Sequence, residues 1–213
     1  MANMRFRGKK RRGRKSLRLP PKPLVMIVCE GGKTEPEYFN GFRISRRMNR
    51  KRIRLITSKD CGGNDPRTIV RCAKRMRREL LKDEGLYYET VWCVFDRDQH
   101  TTYNQAINQA HANNFDVAFS NPCFELWYLL HFRPQNAHST CDEVLHQLRQ
   151  PNCIPNYEEG MENLFNTLIN LQREAIRRAQ VLRHIHRHNY MPESTNPSTT
   201  VDILIEFLNG IKQ

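Results

Sequence analysis

Apolar residues occur first as short unbroken runs and later in the chain as helical stripes. Residues 24–29 (LVMIVC) form such a run, the signature of a strand covered on both faces. Residues 34–48 read as a helix opened by Thr34 as cap, with Pro36 and Glu37 in its first turn. A β-branched strand follows at 52–57, then a loop at 61–65 (CGGND). Pro66 starts a helix to about residue 82 that carries Ile69, Val70, Ala73, Met76 and Leu80. Residues 91–95 (VWCVF) form a third buried strand, 103–113 a helix and 115–119 a short fourth strand. Beyond Ser120 only helices are predicted, at 122–132, 140–149, 159–186 and 197–211. The last has Asn196 or Ser198 as cap and a stripe of Val201, Leu204, Ile205 and Leu208.

Strands alternating with helices predict an α/β fold, a parallel sheet of about four strands flanked by helices, with a helical C-terminal extension. The expected divisions are 1–23, 24–133 and 134–213: a basic arm, an α/β core and a helical extension packed on it.

Composition narrows the class. No apolar run among the 213 residues reaches the ~20 that a membrane-spanning helix needs. The basic N-terminus leads into no apolar signal core, so a cytoplasmic protein is expected. Seven scattered cysteines without CxxC spacing argue against a zinc ribbon and suit reduced, buried thiols. Charge changes the picture most. The chain carries a formal +13, and ten bases with no acid fall in the first 23 residues, ending at Pro20-Pro21-Lys22-Pro23. Such an arm is expected to be flexible and to meet a polyanion, most commonly nucleic acid; a solvated tail that only aids solubility is the alternative. Two further basic clusters lie in the body, one from Arg43 to Arg54 and one from Arg71 to Arg78.

Candidate chemistry sits just past the strand ends, where open parallel sheets collect function. Glu30 follows the first buried strand, and Asp96 and Asp98 follow the third. A carboxylate at the end of an apolar strand is costly unless it is paired or binds a cation. Three of them at one sheet edge suit Mg²⁺, which prefers hard oxygen ligands. Loop acids that cap helices or pair with Arg97 are the alternative. Gly31-Gly32-Lys33-Thr34 fails as a P-loop, because the first glycine of that motif would fall on Ile27. Its amides and Lys33 can still meet a phosphate at the following helix N-terminus. Glu125 is the candidate fourth acid, although a Glu there also suits the helix dipole. Glu35 reads as a capping or supporting residue and His131 as a core or surface histidine, with general acid/base work as the alternative, and the histidines at 184, 186 and 188 read as a solvated face. No nucleophile-elbow signature supports acyl transfer.

The segment VCEGGKTE at 28–35 followed by VFDRD at 94–98 resembles a Toprim catalytic domain, found in topoisomerases, bacterial primases and overcoming-lysogenization-defect nucleases. The segments 30–42 (EGGKTEPEYFNGF), 95–99 (FDRDQ), 120–132 (SNPCFELWYLLHF) and 196–201 (NPSTTV) more specifically resemble the RloB family of prokaryotic defence-associated proteins. That resemblance spans about residues 24–205. It implies a Toprim-like core and a Mg²⁺- or Mn²⁺-dependent nuclease, effector of an anti-phage system with an RloA-type ATPase. Glu30 would be general base or metal ligand and Asp96 and Asp98 ligands; from the residues themselves, Lys33 and Arg97 are the candidates to meet a nucleic-acid phosphate. A non-catalytic subunit that binds nucleic acid or docks the ATPase is the other expectation. The chain is too short for the strand-passage domains of a topoisomerase.

Overall fold

The computed structural model describes residues 23–97, 102–186 and 195–211. The arm expected over 1–23, apart from Pro23, and Asp98 and His188 therefore lie outside the described residues. The chain order is β1 (Val25–Cys29), α1 (Thr34–Ser45), β2 (Ile53–Ile56), α2 (Ser58–Cys61), α3 (Pro66–Glu84), β3 (Thr90–Asp96), α4 (Tyr103–Ala112) and β4 (Asp116–Asn121). Then come α5 (Glu125–Phe132), α6 (Cys141–Leu148), α7 (Leu164–Leu168), a 3-10 turn, α8 (Gln172–Ile185), β5 (Ser198–Thr199) and α9 (Val201–Gly210).

Among the described residues the sheet has five strands in the order β2-β1-β3-β4-β5, with β1 to β4 parallel and β5 antiparallel to β4. Period-2 alternation sends Val25, Ile27, Cys29, Trp92 and Val94 into one apolar cluster. Met26, Val28, Val91, Cys93 and Phe95 enter the other. Helices α3 and α4 cover the second face, and α1 with α5 to α9 cover the first. Central strands buried on both sides must be apolar throughout, which is why β1 and β3 are legible as runs.

Helix α3 obeys its local signals: the Asp65 side chain accepts from the N–H groups of Arg67 and Thr68, and Gly85 closes the helix in the left-handed conformation. Helix α1 does not, since Thr34 is already helical and Lys33 holds the cap position without a side-chain bond. The expected all-helical C-terminus also needs correction. Ser198 and Thr199 form β5, with the Thr199 hydroxyl bonded to Phe119 O at 3.0 Å. Two polar residues carry no alternation to read, so only pairing with β4 makes them a strand. Asn196 caps no helix; its amide accepts from Ser139 N–H and donates to Ser139 O. The span expected as one helix from 159 divides into a loop, α7, the 3-10 turn and α8.

Cysteine usage differs as well. Cys61 and Cys72 are joined as a disulfide, with Cα atoms 5.2 Å apart, tying α2 to α3, whereas Cys29, Cys93, Cys123, Cys141 and Cys153 are in no disulfide. No described helix is long and apolar enough to cross a membrane.

Helices α8 and α9 are clasped by Arg183 on the fully buried Asp202. Burial already pushes the Asp202 carboxyl up, and the guanidinium opposes this. Arg183→Met removes the only ion-pair partner that Asp202 has among the described residues and should cost about 3 kcal/mol at pH 7. Urea unfolding measures the loss, which should shrink toward pH 4 as Asp202 takes up a proton.

Candidate active site

The carboxyl ends of β1 and β3 lie side by side, and Glu30 N–H donates to Val94 O at 2.9 Å. That register brings the Glu30 side chain onto β3, where Oε2 accepts from Asp96 N–H at 2.8 Å. Asp96 Oδ2 in turn accepts from Phe124 N–H at 3.1 Å, in the turn that leads from β4 into α5. Glu125, the next residue, starts α5, and its Oε1 accepts from the Tyr157 hydroxyl at 2.8 Å. Glu35, in the first turn of α1, folds back so that Oε1 accepts from Gly31 N–H at 3.0 Å. Gly31 permits this close approach, since any Cβ there would collide with the Glu35 carboxylate.

Glu30, Glu35, Asp96 and Glu125 line one cavity of about 270 Å³ together with Gly31, Thr34, Asn64, Phe124 and Glu159. Five carboxylates therefore face it, and no Lys, Arg or His is among its described lining residues. The electrostatic consequence is large. Burial pushes the Asp96 carboxyl well above its ordinary range, and repulsion from Glu35, Glu30 and Glu125 adds to it. Burial likewise raises Glu35 to about 7; its own and Gly31's N–H groups oppose the rise, and Glu125 and Glu159 reinforce it. Tyr157 is raised by burial and by Glu125, so it remains a hydroxyl donor. A buried group of like charges without a base is stabilised by protons or by a cation.

The sequence model of the RloB-like protein family matches residues 25–208, a span that includes every residue of this cavity. The chain belongs to the RloB-like family. Searches of curated proteins and of solved structures found no match.

Of the residues expected at the RloB-like site, Glu30, Asp96 and Glu125 come together in the cavity, and Asp98 lies outside the described residues. Lys33 and Arg97 do not line it. Lys33 is exposed, and its stem passes the loop bearing Glu159 so closely that a Cβ on Gly160 would come 2.7 Å from Lys33 Cβ. Arg97 turns toward α4, with its guanidinium 4.6 Å from the Tyr103 ring centroid and a bond of 3.3 Å to Asn104. His131 is buried, bonds Trp127 O at 2.9 Å, and is lowered by burial to about 4, so it is a neutral core residue.

Sequence reasoning missed two members of the cavity. Glu35 passes as a helix-dipole acid, although a glycine four residues before it is the signal that its carboxylate folds back. Glu159 stands in an irregular loop 34 residues from Glu125 and carries no local signal. The all-oxygen donor set and the mutual repulsion suit a hard divalent cation such as Mg²⁺ or Mn²⁺. Among the described residues no three acids, histidines or cysteines stand close enough to hold one ion directly. The fit is therefore to an ion that keeps several waters and meets one or two carboxylates, the usual habit of Mg²⁺.

Proposed function

We propose that this RloB-like protein is a metal-dependent phosphodiesterase that cleaves nucleic acid. The observation that carries the reading is the cavity at the carboxyl edge of a parallel sheet that five carboxylates line, with no base among its described lining residues and with Asp96 and Glu35 both raised. The likeness of 28–35 and 94–98 to a Toprim domain supports it. Asp96 and Asp98 are the residues that would hold the ion, with Glu30, Glu125 and Glu159 nearby. The cation supplies the positive charge that both a phosphodiester and the crowded carboxylates require.

The chain's own groups divide the remaining work. Glu30, held in place by Asp96 N–H, orients the attacking water and accepts its proton. Glu35, at about 7, holds a proton near neutral pH and is suited to hand it to the departing oxygen. Burial keeps bulk water from both. The setting implied by family likeness is an anti-phage effector working with an RloA-type ATPase. One observation favours a second reading: among the described residues no three acids, histidines or cysteines are grouped to hold one ion, as in a subunit that only binds nucleic acid or docks the ATPase.

Incubation with DNA, bulk RNA or tRNA, with Mg²⁺, Mn²⁺ or EDTA and with or without the ATPase, separates the two. Cleavage that requires the divalent ion is the expected result. Nucleic acid that is bound but left intact under every condition establishes the second reading instead.

A further inference from the structure

A second cavity, of about 470 Å³, lies around the open edge of β2, the outer strand of the sheet. Its walls are Pro36, Glu37, Asn40 and Arg43 of α1, Arg50 from the turn before β2, and Arg54 to Ile56 of β2, closed by Asp60 and Met76. Its chemistry is opposite to that of the acidic cavity. Three guanidiniums face two carboxylates, and Asp60 is engaged in capping α2, accepting from the Thr57 N–H at 2.9 Å and the Thr57 hydroxyl at 3.0 Å. Arg54 reaches Glu84 at 3.2 Å. Arg43 is only 8% exposed, and among the described residues it has Asn40 Oδ1 as its hydrogen-bond acceptor and no carboxylate partner. Burial foremost, and Arg50 beside it, hold the Arg43 guanidinium below its ordinary pKa. A buried cation crowded by another is stabilised by an anion, and a guanidinium fork matches phosphate geometry.

The two cavities meet on one turn of α1. Thr34 and Glu35 line the acidic one and Pro36 and Glu37 the basic one. Glu35 and Arg43 are eight residues apart on α1, about 12 Å along the helix axis, so phosphates of one strand can reach both. We propose that the Arg43–Arg50–Arg54 cavity seats a backbone phosphate of the same strand as the bond cleaved in the acidic cavity, an assignment that rests on the phosphodiesterase reading. The contact reads no base, so it positions a strand without selecting its sequence.

The test is binding of the full chain to a labelled single-stranded oligonucleotide in EDTA, followed by fluorescence anisotropy across a salt series. Arg50→Ala and Arg43→Gln should each weaken binding about tenfold and flatten the salt dependence by roughly one phosphate contact. The exposed Arg78→Ala on α3, an equal loss of charge, should change affinity less than about twofold. Arg50 is exposed, so its variant carries the test even if thermal melting shows that Arg43→Gln is poorly folded. Equal affinities for Arg50→Ala and Arg78→Ala overturn the site. Adenosine monophosphate that raises the melting temperature of the native protein but not of Arg50→Ala, with oligonucleotide affinity unchanged, makes the occupant a free nucleotide and also overturns it. Absence of cleavage together with the expected binding pattern sinks the phosphodiesterase reading alone.

Discussion

Asp96→Asn should reduce divalent-dependent cleavage by about a thousandfold or more, the scale of losing a group that places charge against a reacting phosphate. The same change should make the metal-free protein more stable. Asp96 is half-buried, raised by desolvation and repelled by Glu35, Glu30 and Glu125. Asparagine keeps an oxygen for Phe124 N–H and presents an amide to the surrounding carboxylates. Opposite signs for activity and stability separate a functional acid from a structural one, because removing a structural acid lowers both. Cleavage rates with Mg²⁺ and melting temperatures in EDTA near pH 8 are the measurements. A variant that cleaves at the native rate removes Asp96 from the chemistry, and one that is inactive but less stable than the parent assigns it to the scaffold.

Stability of the metal-free protein should also fall as pH rises from about 4.5 to about 8, with Glu35 as a main cause. Its ordinary value of 4.5 is raised to about 7 in the fold. Below about 4.5 Glu35 is protonated whether folded or unfolded and contributes no difference. Above that pH the unfolded chain releases the proton while the folded chain retains it, and the penalty grows until pH exceeds about 7. At about 1.4 kcal/mol for each tenfold change in proton affinity, the full penalty is about 3 kcal/mol. Glu35→Gln should therefore match the parent near pH 4.5 and exceed it by up to that amount at pH 8. Urea unfolding in EDTA across this range decides the matter: a constant difference between the two proteins would sink it. Added Mg²⁺ should stabilise the parent more at pH 8 than at pH 5, because the carboxylates are then ionised.

Much of the scaffold was legible because its signals are local. Residues 25–29 and 91–95 have to be apolar on both faces to occupy the middle of the sheet, and Asp65-Pro66 with Gly85 bracket α3 by backbone chemistry alone. Glu30 and Asp96 could be named because each directly follows such a strand. Glu125 could be placed because α5 begins soon after β4. In each case the inference needed only neighbours along the chain.

The remaining features depend on groups that meet through space. The β5 pairing, the Cys61–Cys72 disulfide and the Asn196–Ser139 tie each join segments whose own pattern points elsewhere. Lys33 and Arg97 sit beside the acids in sequence, yet Gly160 and Tyr103 lie against their side chains, and neither lines the cavity. Arg43 looks like one base among seven in its cluster until packing buries it with no carboxylate partner among the described residues.

By itself, then, the amino-acid order determined the strand–helix alternation, the core strands and the placing of Glu30 and Asp96 at one sheet edge. Only the tertiary structure decided that Glu35 and Glu159 complete a five-carboxylate cavity and that a cavity of opposite charge adjoins it on α1. The physical reason is that periodicity and capping act over a few residues, whereas desolvation and charge repulsion depend on distances that exist only after the chain has packed.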